Sequence, residues 1–188
     1  MIRMGVDERK LIGQVLAGRT EEFGYFLEKY GRQVLALVSR LVPQQMDAEE
    51  VAQDAFVKAF TRLESFDFRS SFSTWVSRIA YNCAVEHLRK TKRERTVDVD
   101  ESQLAEVTDG MVDEVMLTDD EDNVAQLQKA IDMLAAEDRT LITLYYYDAR
   151  SVRDIAYIMS IKENAVVQRL HRVRKRLYLL IKTFSRNG

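Results

Sequence analysis

The stretch SVRDIAYIMSIKENAVVQRLHRVRKRLYLLIKTF, residues 151–184, decides the fold of the C-terminal part of the chain. It begins with a serine suited to cap a helix, and a short apolar pattern follows as far as Ile158. A break at Ser160–Ile161 precedes a long basic helix, which we predict from about Glu163 to Phe184. Two helices joined by a tight turn, the second of them basic, are typical of a helix-turn-helix unit.

The long basic helix combines an apolar stripe with a cationic remainder. The predicted buried positions recur at three- and four-residue steps: Val166, Leu170, Val173, Leu177 and the pair Leu180 and Ile181. The other faces carry Gln168, Arg169, His171, Arg172, Arg174, Lys175 and Arg176. Side chains of these types contact base edges and phosphates in a DNA major groove. A solvated basic face is the alternative, and the helix and turn that precede it favour DNA.

Composition indicates a helical protein without catalytic or metal chemistry. One proline and seven glycines in 188 residues are few for a sheet protein. A single cysteine, Cys83, and two histidines leave little material for a metal site, and we predict neither a metal nor a cofactor. No Walker loop, HExxH or GxSxG motif occurs, so we do not predict an enzyme. No apolar run is long enough to cross a membrane, which predicts a cytoplasmic protein without membrane insertion.

Helical periodicity also fills the N-terminal part of the chain. We predict four helices: a short one near Asp7–Ala17 closed by Gly18, one over Thr20–Leu41, one that begins with Asp47 as its N-cap, and one from Ser73 to about Lys92. Four acids and a glutamine mark one edge of the third helix: Asp47, Glu49, Glu50, Asp54 and Gln53. Capping and solubility explain this edge, and a docking surface for a basic partner is the alternative.

Aromatic and cationic side chains cluster between Glu64 and Arg95. Phe66, Phe68 and Phe72 lie in a polar loop, and a helix face follows with Trp75, Arg78, Asn82 and Arg89. Aromatic rings stack on unpaired bases while cations hold the backbone, so this pattern is suited to single-stranded DNA. Core packing is the alternative, and for Trp75 we favour partial burial.

The charge distribution separates these two parts. Residues 94–123 contain twelve acids and one arginine, whereas residues 150–188 contain ten lysines and arginines and two acids. We predict a mostly disordered acidic linker over residues 96–122. A chain of this kind can repel nucleic acid with one part and hold it with another.

Taken together, the motifs resemble the sigma-70 superfamily. DAEEVAQDAFVKAF (residues 47–60) and FSTWVSRIAYNCAVEHLRK (residues 72–90) are similar to region 2, and LAAEDRTLITLYYYDARSVRDIAYIMSIKENAVVQRLHRVRKRL (residues 134–177) is similar to region 4. Regions 1 and 3 have no counterpart, a layout that resembles the extracytoplasmic-function (ECF) group.

The resemblance implies an all-α fold with two small helical domains, a region 2 bundle over residues 1–95 and a region 4 helix-turn-helix over residues 123–188, joined by an acidic flexible linker. It implies a sigma factor that binds core RNA polymerase and directs promoter-specific transcription initiation. Region 2 would capture the melted −10 element and region 4 would read the −35 element. The expected partners are promoter DNA, the β′ clamp helices and β flap of the polymerase, and an anti-sigma factor.

The same resemblance implies roles for individual residues. The −10 contacts are expected at Phe66, Phe68, Arg69, Trp75, Arg78, Asn82 and Arg89. The −35 contacts are expected at Val167, Gln168, Arg169, His171, Arg172 and Arg174, with Arg169 and Arg174 near phosphates. Polymerase binding is expected at Asp47, Glu50, Gln53 and Asp54. The chain departs from relatives at two positions. Val167 stands where relatives often have arginine, and Asn164 stands where they have a turn glycine.

Two other functions fit parts of the pattern. An ordinary helix-turn-helix regulator would use the N-terminal bundle to dimerise or to sense a signal, and would bind a two-fold symmetric operator tightly by itself. A metal-dependent hydrolase in the helical bundle is the second, and the absent motifs disfavour it.

Overall fold

The computed structural model describes residues 7–91, 104, 107–108, 110–112 and 121–187, and in these ranges every regular element is a helix. The predicted all-α fold is therefore confirmed. The chain forms two compact units, Met1–Thr91 and Lys92–Gly188, and the boundary between them falls four residues before the predicted end of the first domain.

Over residues 7–91, the N-terminal unit has four α-helices and two short 3₁₀ turns. The helices are α1 (Glu8–Leu16), α2 (Gly24–Leu41), α3 (Gln45–Thr61) and α4 (Phe72–Thr91), with 3₁₀ turns at Thr20–Phe23 and Leu63–Ser65. Helices α2, α3 and α4 pack against one another, and α1 packs against both 3₁₀ turns. This arrangement places α1 beside the residues that lead into the aromatic loop.

Local sequence explains most of the helix ends in this unit. The Asp7 carboxylate accepts hydrogen bonds from the Arg9 and Lys10 amides at the start of α1, and Gly18 takes a φ of 98° after its end. Ser71 Oγ accepts from the Thr74 amide at the start of α4. The predicted N-cap at Asp47 is wrong: α3 begins at Gln45, and Asp47 lies in its first turn. An acid in that turn still stabilises the helix through its dipole.

Aromatic rings form the centre of the N-terminal core. Phe72 is 2% exposed and lies at the middle of the group. Its ring centroid is 4.3 Å from that of Phe26, 5.8 Å from that of Phe66 and 5.6 Å from that of Trp75. The predicted loop is thus tied to the core through Phe66 and Phe72, because both rings are buried.

The C-terminal unit is built around its last helix. Over residues 121–187, its elements are α5 (Glu121–Asp132), α6 (Ala136–Ile142), a π-helical turn (Thr143–Tyr147), α7 (Val152–Met159) and α8 (Glu163–Asn187). Helix α8 packs against α5, α6 and α7. All of the predicted stripe on α8 is buried, including Val166, Leu170 and Val173.

The turn between α7 and α8 lies at the predicted position. The residue with a left-handed backbone conformation is Ser160 and not Asn164. Ser151 caps α7 by accepting from the Asp154 amide, as predicted, and Ser160 has a φ of 57°. Asn164, which stands where relatives have a turn glycine, lies inside α8. The chain reverses direction at Ser160, so Asn164 needs no special backbone conformation.

Two regions differ from the sequence-based expectation. Tyr145 follows Leu141 and Ile142 at helical spacing, which predicts a buried position, but the π-helical turn leaves Tyr145, Tyr146 and Tyr147 between 39% and 62% exposed. The predicted disorder of residues 96–122 also does not hold at every position. Val107 and Val112 are buried in a small cluster with Tyr178 of α8, because these valines have an apolar helix surface to cover.

Candidate nucleic-acid and polymerase interfaces

The aromatic loop before α4 combines a buried base with one exposed ring. Phe66 is 6% exposed, whereas Phe68 is 39% exposed and has a φ of 59°. The two ring centroids lie 4.7 Å apart. Asp67 holds this conformation, since its carboxylate accepts from the Arg69 amide at 3.1 Å and pairs with the Arg69 guanidinium at 3.2 Å. The loop therefore presents Phe68 and Arg69 to solvent on a fixed support.

Helix α4 continues this surface with polar side chains. Asn82 and Arg89 are exposed and Arg78 is half-buried, and their spacing places them along one side of the helix. Trp75 was predicted to be partly buried; the structure buries it more deeply, with its indole 5.1 Å from the Phe66 ring. Trp75 supports the loop from beneath.

One residue near the loop was missed by the sequence analysis. The Arg9 guanidinium of α1 lies over the Phe68 ring, with its central carbon 4.4 Å from the ring centroid. Helix α1 also packs against the turn Leu63–Ser65, which leads into the loop that carries Phe68. The sequence contains no local signal for the contact with Phe68, because a single arginine on a short amphipathic helix is unremarkable.

The outward face of α8 contains most of the predicted −35 residues. Val167 is 54% exposed, and Gln168, His171 and Arg172 are also exposed. They lie in the first turns of the helix, immediately after the turn at Ser160. This geometry leaves four side chains able to reach base edges in a major groove.

Arg169 points to a different environment. Its Nε lies 2.6 Å from Asp138 Oδ1 and an Nη lies 2.9 Å from Glu137 Oε2. Asp138 is 9% exposed and also pairs with Arg176 at 3.1 Å. Burial lowers the pKa of Arg169 and is the largest single influence on it, but the hydrogen bond and charge of Asp138, followed by those of Glu137, together outweigh burial and raise the pKa. Because both carboxylates belong to α6, Arg169 joins α8 to α6.

Helix α3 presents the predicted acidic edge. Glu50, Gln53 and Asp54 are exposed, and Asp47 lies 3.6 Å from the His87 imidazole of α4. The three exposed groups form a polar strip that a basic partner can contact.

An apolar groove of about 620 Å³ lies beside this strip, between α2 and α3, and includes Glu49 and Gln53 in its lining. Leu27 and Phe60 recur at helical spacing with buried residues of α2 and α3, but they line this groove and are 45% and 38% exposed. Val57 is 60% exposed in the same groove. On α2 and α3, apolar residues cover more of the helix surface than the core buries. This excess of apolar residues is the sequence feature that indicates the groove.

The described ranges contain no group of three or more histidines, cysteines, aspartates or glutamates placed to hold a metal ion. Within the same part of the chain, no helix has the length and hydropathy needed to span a bilayer.

Comparison with protein families decides what these surfaces belong to. Residues 26–94 match the family model described as Sigma-70 region 2, and residues 125–177 match the one described as Sigma-70, region 4. The chain belongs to the sigma-70 family. Among curated relatives, it is 32% identical over 179 residues to the ECF RNA polymerase sigma factor SigW of Bacillus subtilis, covering 90% of this chain and 94% of SigW. It is 31% identical over 178 residues to the ECF sigma-E factor of Escherichia coli K12, covering 90% and 92%.

Two solved structures share the fold of this sigma factor. CnrH, in complex with the cytosolic domain of CnrY, matches with a TM-score of 0.65 and 22% identity over 93% of this chain and 97% of that chain. RpoE from Bartonella quintana, in complex with the anti-sigma factor NepR, matches with a TM-score of 0.62 and 22% identity over 86% and 98%.

The family settles the general activity. This ECF sigma factor directs transcription initiation at promoters, and its partners are core RNA polymerase and promoter DNA. Sigma factors are initiation factors and not enzymes.

Proposed function

We propose that this sigma factor reads promoters through two separate surfaces, the aromatic loop with α4 for the melted −10 element and the outward face of α8 for the −35 element. The observation that carries the proposal is that both surfaces are exposed and supported by buried residues of their own unit. We further propose that residues 1–95 and 123–188 are the two working domains, that residues 96–122 link them, and that the protein acts in the cytoplasm.

At the −10 surface, the exposed amide of Asn82 lies along the same side of α4 as Arg78 and Arg89, and the loop before this helix exposes Phe68 and Arg69. The amide offers both a donor and an acceptor to the edge of an unpaired base. Phe66 and Trp75 form the buried floor of this surface, so their role is to support the exposed loop. We assign base capture to Asn82 and the loop together.

Asn82→Ala is expected to impair promoter opening more than closed-complex formation. Loss of two hydrogen bonds to a base costs roughly 1–3 kcal/mol, and this cost falls only on the state in which the base is unpaired. Permanganate reactivity of unpaired thymines measures opening, and binding to a duplex at low temperature measures the closed complex. Ser39→Ala, an uncharged change at an exposed position of α2, is the control. Equal losses in both assays would contradict the assignment.

At the −35 surface, we propose that Val167, Gln168, His171 and Arg172 face the bases. Val167 suits a thymine methyl group, and Arg172 suits a guanine. Arg174 stays a proposed phosphate contact. The two carboxylates that hold Arg169 favour a positioning role, in which its side chain fixes α8 and does not itself bind phosphate.

Arg172→Ala is expected to weaken −35 binding by roughly 1–3 kcal/mol if Arg172 pairs with a guanine. The loss should disappear on duplexes in which that guanine is replaced. Titration of the holoenzyme with a set of single-substituted duplexes measures it, and Arg172→Lys, which keeps the charge, is the control. A uniform loss on all duplexes would assign Arg172 to phosphate.

The acidic edge and the neighbouring groove are the proposed site for protein partners. Asp47, Glu50, Gln53 and Asp54 would dock on the β′ clamp helices, and α5 and α6 would bind the β flap. Support comes from the exposure of Glu50, Gln53 and Asp54 beside an apolar groove, since polymerase contacts need both charge and buried area. The solved complex of RpoE with the anti-sigma factor NepR supports an anti-sigma factor as a further partner.

Transcription by the reconstituted holoenzyme tests the function. The purified chain and bacterial core polymerase would transcribe a pool of templates with randomised promoter positions, and sequencing of the transcripts would give the preferred elements. We expect transcripts with fixed −35 and −10 sequences. An ordinary repressor would instead bind a symmetric duplex tightly without core polymerase and give no transcript, which would overturn the proposal.

A further inference from the structure

We propose that Arg9 of α1 is part of the −10 surface: its guanidinium stacks on Phe68 and donates hydrogen bonds to a phosphate next to the captured base. This inference rests on the proposed role of the aromatic loop. It adds a helix that lies outside the family match, since the region 2 model begins at residue 26.

The contact leaves the hydrogen-bonding edge of Arg9 available. Its central carbon lies 4.4 Å from the Phe68 centroid, a distance at which the cation is attracted to the ring. A guanidinium over a ring can keep its N–H groups directed outward, and it matches phosphate geometry with paired hydrogen bonds. Among the residues that the structure describes, no carboxylate forms an ion pair with Arg9, and its side chain is exposed.

Helix α1 is fixed well enough for Arg9 to occupy a defined place. Leu11, Ile12 and Val15 are buried. The adjacent Glu8 carboxylate accepts from Lys29 at 2.6 Å and from the Tyr30 hydroxyl at 2.5 Å, both on α2. Burial, followed by the hydrogen bond to Glu8, raises the pKa of Tyr30 to about 12, so its hydroxyl keeps the proton that it donates.

The position of Phe68 gives the contact its functional meaning. A bulky residue with a φ of 59° occupies a region of backbone space that non-glycine residues seldom adopt. Such a conformation persists only when neighbouring groups hold it, and here they are Phe66, Asp67 and Arg9. The result is an exposed ring with a cation beside it, the combination that single-stranded nucleic acid binds.

The test measures binding of the holoenzyme to a labelled single-stranded oligonucleotide that carries the selected −10 element, across a series of salt concentrations. Arg9→Ala is expected to weaken binding roughly tenfold, as for a hydrogen bond to a charged group. It should also reduce the slope of log affinity against log salt by about 0.7, the value for one phosphate contact on a single strand. Arg9→Lys should keep the slope and lose part of the affinity.

Control variants separate the possible outcomes. Lys10→Ala removes the neighbouring exposed cation of α1 and should change affinity less than twofold, roughly the effect of one distant charge. If Asn82→Ala weakens binding and Arg9→Ala does not, the Arg9 inference is wrong and the proposed function stands. If neither variant weakens binding, the loop does not capture the strand. A loss of affinity with an unchanged salt slope, or tighter binding by Arg9→Ala, would overturn the phosphate contact.

Discussion

Replacing Asp138 by alanine should lower the free energy of unfolding of the C-terminal unit by about 3 kcal/mol, because removal of one member of a buried ion pair leaves the other uncompensated. Asp138 is 9% exposed and neutralises both Arg169 and Arg176. The two guanidiniums are about one quarter exposed, which allows some rehydration and sets the expectation at the lower end of the usual range.

Urea unfolding of the full chain measures this effect. Trp75, the only tryptophan in the sequence, reports on the N-terminal unit by fluorescence, whereas far-ultraviolet circular dichroism reports on all helices. Asp138→Ala should move the unfolding of the C-terminal unit to lower urea concentrations. Dichroism detects this transition, whereas Trp75 fluorescence does not. Glu137→Gln is the matched control, since Glu137 also pairs with Arg169 but is 40% exposed and should cost under about 1 kcal/mol. Similar costs for the two variants would contradict the burial argument.

The complementary expectation concerns Phe72. Phe72→Ala should destabilise the N-terminal unit by about 3–5 kcal/mol, because it removes a fully buried ring and leaves a cavity. The ring lies within 6.4 Å of the centroids of Phe23, Phe26, Tyr30 and Trp75, so several neighbours lose contact at once.

Phe68→Ala is the control for Phe72, because Phe68 is exposed on the same loop. It should leave the fluorescence-detected transition within about 1 kcal/mol of the parent protein. A large shift for Phe68→Ala, or a small one for Phe72→Ala, would mean that the loop and not the central ring holds the unit together. Single-stranded binding by the stable Phe68→Ala variant then reports on the DNA surface without interference from folding.

Much of the fold follows from local rules in the sequence. Asp7 and Ser151 begin their helices because their side chains accept from free amides, and Gly18 permits the left-handed residue after α1. The stripe of α8 is buried as its period predicts. Each of these features depends on residues within one or two turns, which is why the sequence suffices.

Features that depend on contacts distant in sequence were not predictable in the same way. Arginine is a residue type that often contacts phosphates, so the sequence favours that role for Arg169. Only the structure shows that two carboxylates of α6 bind its guanidinium. Leu27 and Phe60 recur at helical spacing with buried residues, but they line an open groove between α2 and α3. Arg9 reaches Phe68 across 59 positions of sequence, and no local pattern specifies that contact.

The ion pairs of Asp138 have a consequence for how this protein can diverge. They fix α8 through Arg169 and Arg176, whereas Val167, Gln168 and Arg172 are exposed and are not part of these pairs, so the contacts that maintain the fold and the side chains proposed to select bases involve different residues. Substitutions on the outward side therefore impose little thermodynamic penalty. A duplicated copy of the gene could acquire a new set of target promoters by drift at a few solvent-facing codons, without first passing through unstable intermediates.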